Sequence, residues 1–98
     1  MKREEFVFTI GYQGQSAIVD GQAMKKYKSL STRDLAEKGL FKEAFCSALF
    51  SGSKEETQIV LKQYNKVSGT AILSEEELMR LFGVFGIPEG ITKANVLS

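Results

Sequence analysis

Three serines in this chain are each followed, three residues later, by an acid and then by an apolar run. The pairs are Ser31 with Asp34, Ser53 with Glu56, and Ser74 with Glu77. At a helix N-terminus such a hydroxyl accepts a hydrogen bond from an orphaned backbone N–H, and the acid reaches back to the N–H of the serine. The pattern therefore predicts three helix starts. Because the residues before Ser31 alternate with a strand period instead, the chain is expected to be β first and α afterwards.

The β part opens with an apolar residue at every second position. These residues are Phe6, Phe8, Ile10 and Tyr12. On a pleated strand they share one face, which we expect to be the core face. A hairpin turn is predicted at Gln13-Gly14, since Gly tolerates a positive φ there. This turn would place Ile10 opposite Ala17 and Phe8 opposite Val19.

A second turn signal, Asp20-Gly21, follows the hairpin. If the chain reverses there, Gln22 to Lys28 returns as a third strand with Met24 facing inward. Its lysines would suit an exposed edge, where charge discourages pairing with another molecule. The sequence thus predicts either a three-stranded antiparallel meander or the hairpin alone, and it leaves the state of residues 22–28 open.

The helical part begins with a wide apolar stripe from Leu35 to Leu49, which has helical spacing. Gly39 interrupts the stripe at a cost of about 1 kcal/mol relative to Ala in a helix interior. Two interpretations remain open. In the first, the whole stripe forms a single helix. In the second, Gly39 caps a short helix over Thr32 to Lys38, and a longer helix to Phe50 follows.

Two further helices are predicted after the remaining caps. The first runs from Ser53 to a Gly69 cap. The second carries apolar residues at i, i+3, i+4 and i+7, which are Leu78, Leu81, Phe82 and Phe85. Gly86 and Pro88 are expected to stop it. The remainder, Ile87 to Ser98, is predicted to be a loose tail or one short extended segment.

With 98 residues, 43% of them hydrophobic and 26% charged, the composition is that of an ordinary globular domain. We therefore predict one α+β domain over residues 1–98, in which an N-terminal antiparallel hairpin or meander packs against three or four helices. The β part covers about residues 5–28, the helical part about 31–86, and the C-terminal tail 87–98. Caps and turns of this kind recur in unrelated folds and indicate no family.

Catalytic chemistry is not indicated. The chain has no histidine, which removes the commonest general base and the usual triads. Cys46, the only cysteine, has apolar neighbours and no imidazole to lower the pKa of its thiol. The acid runs at Glu55 and Glu75 fall in first helical turns, where the helix dipole favours negative charge. We accordingly expect a noncatalytic protein with no cofactor and no metal site.

The net charge of +1 argues against a strongly electrostatic partner for the chain as a whole. A single cysteine cannot form an internal disulfide, which suits a reducing compartment. The apolar stretch near Met1 is short and alternates with polar residues, unlike a signal peptide. These features predict a cytoplasmic protein that does not contact a membrane.

The apolar stretch from Leu81 to Pro88 is the first candidate interaction surface, because it is too apolar all round for a helix with one buried face. Four residues off the main stripe or near its end are the predicted partner-binding set: Met79, Val84, Phe85 and Ile87. Aromatic residues and Met are the types that such surfaces favour. We expect a small intracellular protein-interaction or regulatory domain that binds a protein partner or associates with itself through this segment.

An alternative function is nucleic-acid binding through Lys25, Lys26, Tyr27 and Lys28. An aromatic residue between cations can stack on a base while the lysines neutralise phosphates. The competing interpretation is a solvated surface with no ligand. This cluster is the second candidate interaction surface.

Overall fold

A computed structural model describes residues 1–98 as a three-stranded sheet with six helices. In chain order the elements are α1 Arg3–Val7, β1 Thr9–Gln13, β2 Ser16–Asp20, α2 Gly21–Tyr27, α3 Thr32–Glu37, α4 Phe41–Ser51, α5 Lys54–Ser68, α6 Glu75–Phe82 and β3 Lys93–Leu97. The α+β class is confirmed. The strands β1 and β2 form an antiparallel pair, and β3 lies along β2 in parallel.

The first turn of the chain is helical, although a strand was predicted from Phe6 onward. Good helix formers fill Arg3 to Glu5, and the Glu5 carboxylate accepts the Lys2 N–H at 2.8 Å, which satisfies an end of α1. Phe6 therefore reaches the core from a helix, and it is 2% exposed.

The hairpin itself is confirmed, but its predicted register and turn are wrong. Gln13 pairs with Ser16 and Tyr12 with Ala17, so the two-residue turn is Gly14-Gln15. Only Gly14 has a positive φ there, at 60°, which matches the turn class with Gly in its first central position.

An extra residue in β1 explains why the alternation prediction failed. Between the Thr9–Val19 and Gly11–Ile18 pairs the register shifts by one, which leaves Ile10 unpaired as a bulge. Ile10 is 60% exposed and Tyr12 is also exposed, whereas Phe8 is buried. The four alternating residues consequently do not share one core face.

The predicted third strand over Gln22–Lys28 is wrong, because residues Gly21–Tyr27 form α2. The Asp20 side chain accepts the Ala23 N–H at 3.1 Å, so Asp20 acts as a helix N-cap and not as a turn residue. Gln, Ala, Met and Lys, which make up most of α2, are strong helix formers and weak strand formers.

The third strand comes instead from the C-terminal segment, where β3 pairs in parallel with β2 from Ser16–Lys93 to Asp20–Leu97. Of the two predictions for residues 87–98, the extended segment is confirmed and the loose tail is wrong. The meander is wrong as well, since its third strand would have been antiparallel and adjacent in sequence. Five of the six helices lie in the connection between the two parallel strands, as such a pairing requires a long crossover.

Gly39 divides the first helical stripe, which settles the choice that the sequence left open. With φ at 80° it ends α3 in the left-handed conformation, and α4 begins at Phe41. The short connection lets α3 and α4 pack against each other and both against α5. One core of 14 buried residues results, and its largest fully buried side chain is Phe45 on α4.

At all three predicted caps, the hydrogen bond to the serine hydroxyl is confirmed. The hydroxyls accept the backbone N–H of the acid three residues on, at 3.1 Å for Ser31, 3.2 Å for Ser53 and 3.3 Å for Ser74. The reciprocal bond, from the serine N–H to the acid, forms at none of the three caps, so that half of the prediction is wrong. At Ser53 the reason is visible, because the Glu56 carboxylate bonds to Thr32 on α3. Tertiary contact replaces the local bond there.

The last helix is one turn shorter than predicted. Gly83, with φ at 69°, ends α6 after Phe82, and the Val84 N–H donates to the Met79 carbonyl. Phe85 therefore lies beyond the helix, and Gly86 and Pro88 play no part in stopping it.

Gly21 allows α2 to approach β3 closely, because it has no side chain. A Cβ on Gly21 would lie 2.1 Å from the Leu97 carbonyl oxygen and 2.8 Å from Val96 Cγ1. Because the first obstacle is backbone, it cannot move aside without shifting the strand.

We predict that Gly21→Ala lowers the free energy of unfolding by about 1–3 kcal/mol, the usual cost of overpacking. Gly11→Ala is the matched control, because nothing lies within 4 Å of its would-be Cβ. Chemical denaturation followed by circular dichroism measures both variants. Equal stability of the two variants would contradict the close contact between Gly21 and β3.

Candidate functional site

A cavity lies where α1, the α2–α3 connection, α4 and α5 meet. Its volume is about 600 Å³, and most of its lining is polar, including Arg3, Thr32, Ser47 and Glu56. None of these four was predicted as a site residue from the sequence, where Glu56 figured only as a capping acid. Polar residues from four separate stretches of sequence converge here.

A chain of hydrogen bonds runs through these residues, and we call it the polar clasp (Arg3, Ser47, Thr32 and Glu56). Arg3 Nη2 donates to Ser47 Oγ at 2.8 Å, the Ser47 and Thr32 hydroxyls are 2.6 Å apart, and Thr32 donates to the Glu56 carboxylate. A cation thus stands at one end of the clasp and a carboxylate at the other.

The polar groups of the clasp make several hydrogen bonds each. The Arg3 guanidinium also donates to the carbonyl oxygens of Lys28 at 3.1 Å and Leu30 at 2.8 Å. Thr32 and Ser47 are 3% and 2% exposed, and each bonds on both sides within the clasp. A hydroxyl that is enclosed in this way has no approach for a substrate, so the clasp ties α1, α3, α4 and α5 together and does not present a nucleophile.

The only thiol, that of Cys46, is buried. Cys46 is 3% exposed, and burial raises the pKa of its thiol to about 12, with Glu43 adding to the rise and Lys42 opposing it. Thiolate, the reactive form, is therefore scarce near neutral pH. Partial burial also raises the pKa of the Tyr12 hydroxyl, and the neighbouring Cys46 contributes to that rise.

No group of three or more Cys, Asp or Glu side chains lies close enough together to hold a metal ion. The acid runs at Glu55 and Glu75 occupy the first turns of α5 and α6, as their sequence positions indicate. There they face the positive ends of the helix dipoles.

The lysine cluster lies on α2 and at its C-cap, not on a strand. Lys25, Lys26 and Lys28 are exposed, while Tyr27 is half-buried and packs against the core. Lys26 Nζ lies 5.2 Å from the centre of the Tyr27 ring. The aromatic ring is thus engaged by the core and by its neighbouring cation, so it is less free to stack on a base.

The apolar C-terminal stretch has an inner and an outer set of side chains. Met79, Phe82 and Val84 pack against the core, and the Phe82 ring lies 5.8 Å from that of Phe45 and also from that of Tyr64. The outer set consists of Leu81, Phe85 and Ile87, which are 47%, 69% and 43% exposed. We call these three residues the 81–87 surface.

The four residues predicted as partner-binding are therefore divided. Phe85 and Ile87 lie outside, whereas Met79 and Val84 pack inward on the core. Leu81, which the sequence analysis had placed on the core stripe, joins the outer set. Within α6 the core face is formed by Leu78, Met79 and Phe82, which leaves Leu81 outside. The early end of the helix at Gly83 explains the rest, because the residues after it no longer follow helical spacing.

A second cavity, which we call the α2–β3 groove, has a volume of about 610 Å³. Its lining includes Gly21, Met24, Lys25, Lys28, Val96 and Leu97. Lys25 and Lys28 belong to the predicted lysine cluster, but Lys26 does not line the groove. No sequence pattern indicated this groove, because β3 was not predicted to approach α2.

No protein-family model matches the chain, and no curated protein or solved structure is significantly similar to it. None of the six helices combines the length and the apolar character needed to cross a membrane.

We predict that Thr32→Val lowers the free energy of unfolding by about 1–3 kcal/mol, because Glu56 and Ser47 then lose their shared partner while the shape of the side chain is kept. Thr92→Val, at an exposed threonine, is the matched control. Urea denaturation of both variants, and of Thr32→Val combined with Ser47→Ala, measures the effect. Strict additivity in the double variant would contradict the linkage of the two hydroxyls.

We also predict that Cys46 makes the fold less stable as the pH rises from 9.0 towards about 12. In that interval the thiol of the unfolded chain loses its proton while the folded thiol keeps it, so unfolding releases protons and is favoured by high pH. The measurement is the difference in unfolding free energy between wild type and Cys46→Ala at several pH values. A difference that stays constant with pH would contradict the raised pKa.

Proposed function

We propose that this protein is a small noncatalytic interaction domain that associates with itself through the 81–87 surface. The observation that carries the proposal is the exposure of Leu81, Phe85 and Ile87 within seven residues, with Phe85 at 69%. Large aromatic side chains left in water are costly, and they are enriched where one protein contacts another.

The anchoring of the same stretch supports this proposal. Phe82 packs between Phe45 and Tyr64, and Val84 also lies against the core, so the chain between Leu81 and Phe85 is anchored. A partner that binds an anchored apolar surface loses little affinity to the ordering of the chain. Leu81 and Phe85 are thus presented to a partner at low entropic cost.

The burial of the thiol and of the two clasp hydroxyls is consistent with a noncatalytic role. The Cys46 thiol has a raised pKa, and both clasp hydroxyls are enclosed by their partners. An intracellular setting belongs to the same proposal, since one buried cysteine makes no internal disulfide and suits a reducing compartment.

We expect the wild type to form dimers or higher species as its concentration rises, and Phe85→Ser to raise the dissociation constant about tenfold, as for truncation of a central aromatic residue. Size-exclusion chromatography with light scattering measures both proteins. Ile10→Ser, another large and exposed apolar residue at 60%, is the matched control and should behave like wild type.

Val84→Glu is unsuitable for this test because Val84 packs on the core, so its loss would change folding as well as association. A wild type that remains monomeric at high concentration would exclude self-association through the 81–87 surface. Equal weakening by Ile10→Ser and Phe85→Ser would place the contact elsewhere.

A further inference from the structure

We propose that the α2–β3 groove binds an extended peptide in which an acidic and an apolar residue are two positions apart, so that both point to the same side of the strand. This site goes beyond the self-association proposed above, because neither Phe85 nor Ile87 lines the groove. Three features of the groove point to the chemistry of its ligand: its apolar residues, its charge and the strand beside it.

The apolar part of the groove comes from two elements. Met24 on α2 and Val96 and Leu97 on β3 all line it, and both β3 residues are 45% exposed. The contact of Gly21 with the Leu97 carbonyl sets how closely the helix approaches the strand. Apolar side chains of a ligand would cover surface that the domain itself leaves in water.

The charge of the groove is positive. Lys25 and Lys28 are three residues apart on α2, and Lys28 follows Met24 by four, so all three residues lie on neighbouring positions of one helix face. The rest of the lining includes Gln22 and Ser98 but no Asp or Glu side chain, and the nearby Asp20 carboxylate accepts the Ala23 N–H. The complementary ligand therefore carries carboxylates next to its apolar groups.

The strand beside the groove favours an extended peptide over other acidic ligands. β3 is at the edge of the sheet, with β2 on one side only, so half of its backbone groups have no strand partner. Its residues Lys93–Leu97 contain no proline and a single charge, and thus little prevents pairing. A peptide added to this edge would gain backbone hydrogen bonds while its alternate side chains reach the groove.

The probe for this proposal is a fluorescein-labelled peptide of sequence Glu-Ser-Val-Ser-Glu-Ser, in which Glu and Val share one face of the strand; it is titrated with the full chain and followed by fluorescence anisotropy. We expect binding that weakens as salt rises. Shift changes of backbone amides in NMR spectra should centre on Gly21–Lys28 and Lys93–Leu97. A peptide with Lys in place of Glu should not bind.

The chain offers a matched control within α2. Lys25→Glu combined with Lys28→Glu should weaken binding about tenfold, as expected when two surface charges are reversed. Lys25→Glu and Lys28→Glu are also made singly, and each should weaken binding about threefold. Lys26→Glu makes the same charge change as either single variant on the same helix but outside the groove, so it should weaken binding by less than about twofold at physiological salt. If the three single substitutions weaken peptide binding equally, the ligand binds a diffuse cationic patch, and the assignment of the site to the groove is wrong.

Backbone pairing is tested with two further peptides, one N-methylated at every Ser and the other at every Glu and Val. In an added strand one of these two sets of N–H groups faces β3, so one of the methylated peptides should lose binding. Undiminished binding of both would overturn strand addition. If the acidic peptide gives no shift changes while single-stranded DNA binds and loses affinity on Lys26→Glu, the surface is a nucleic-acid site and the proposal is wrong.

Peptide binding at the groove can be tested independently of self-association through the 81–87 surface. Phe85→Ser changes the 81–87 surface and leaves every residue of the groove in place, so the peptide titration is repeated on that variant. We expect the same affinity for the peptide. A loss of peptide binding in Phe85→Ser would overturn the assignment of the site to the groove.

Discussion

The two buried hydroxyls of Thr32 and Ser47 constrain how the helices of this domain can pack. A buried hydroxyl without a partner costs about 1–3 kcal/mol, a large part of the stability of a small domain. Here one hydroxyl faces the other, and the chain of bonds ends on Arg3 at one side and Glu56 at the other. The arrangement is satisfied only when α1, α3, α4 and α5 adopt their observed positions, so the polar clasp selects one packing among those that the apolar residues alone would allow.

A second constraint joins the two ends of the chain. The parallel pairing of β2 with β3 brings Lys93–Leu97 next to the hairpin, and Gly21 lets α2 begin against the end of β3. The first and last parts of the domain therefore depend on each other, although more than 70 residues separate the paired strands. The same junction forms the α2–β3 groove, so the geometry of the proposed peptide site follows directly from the fold.

The two proposed contact surfaces differ in their chemistry. The 81–87 surface is apolar, and it suits a second apolar surface such as its own copy. The α2–β3 groove combines apolar residues with Lys25 and Lys28 and an open strand edge, which suits an extended acidic segment.

The sequence by itself determined the helix starts at Ser31, Ser53 and Ser74, the presence of the hairpin and the end of α5 at Gly69, because each depends on bonds between residues a few positions apart. The helical state of α2 was also within reach of the sequence, since Asp20 is a good cap and strong helix formers follow it. Only the tertiary structure decided that Glu56 bonds to Thr32 and not to its own cap, that Ile10 bulges outward, and that β3 joins the sheet beside β2. These features depend on contacts between residues far apart in the chain, and no local pattern carries information about such partners.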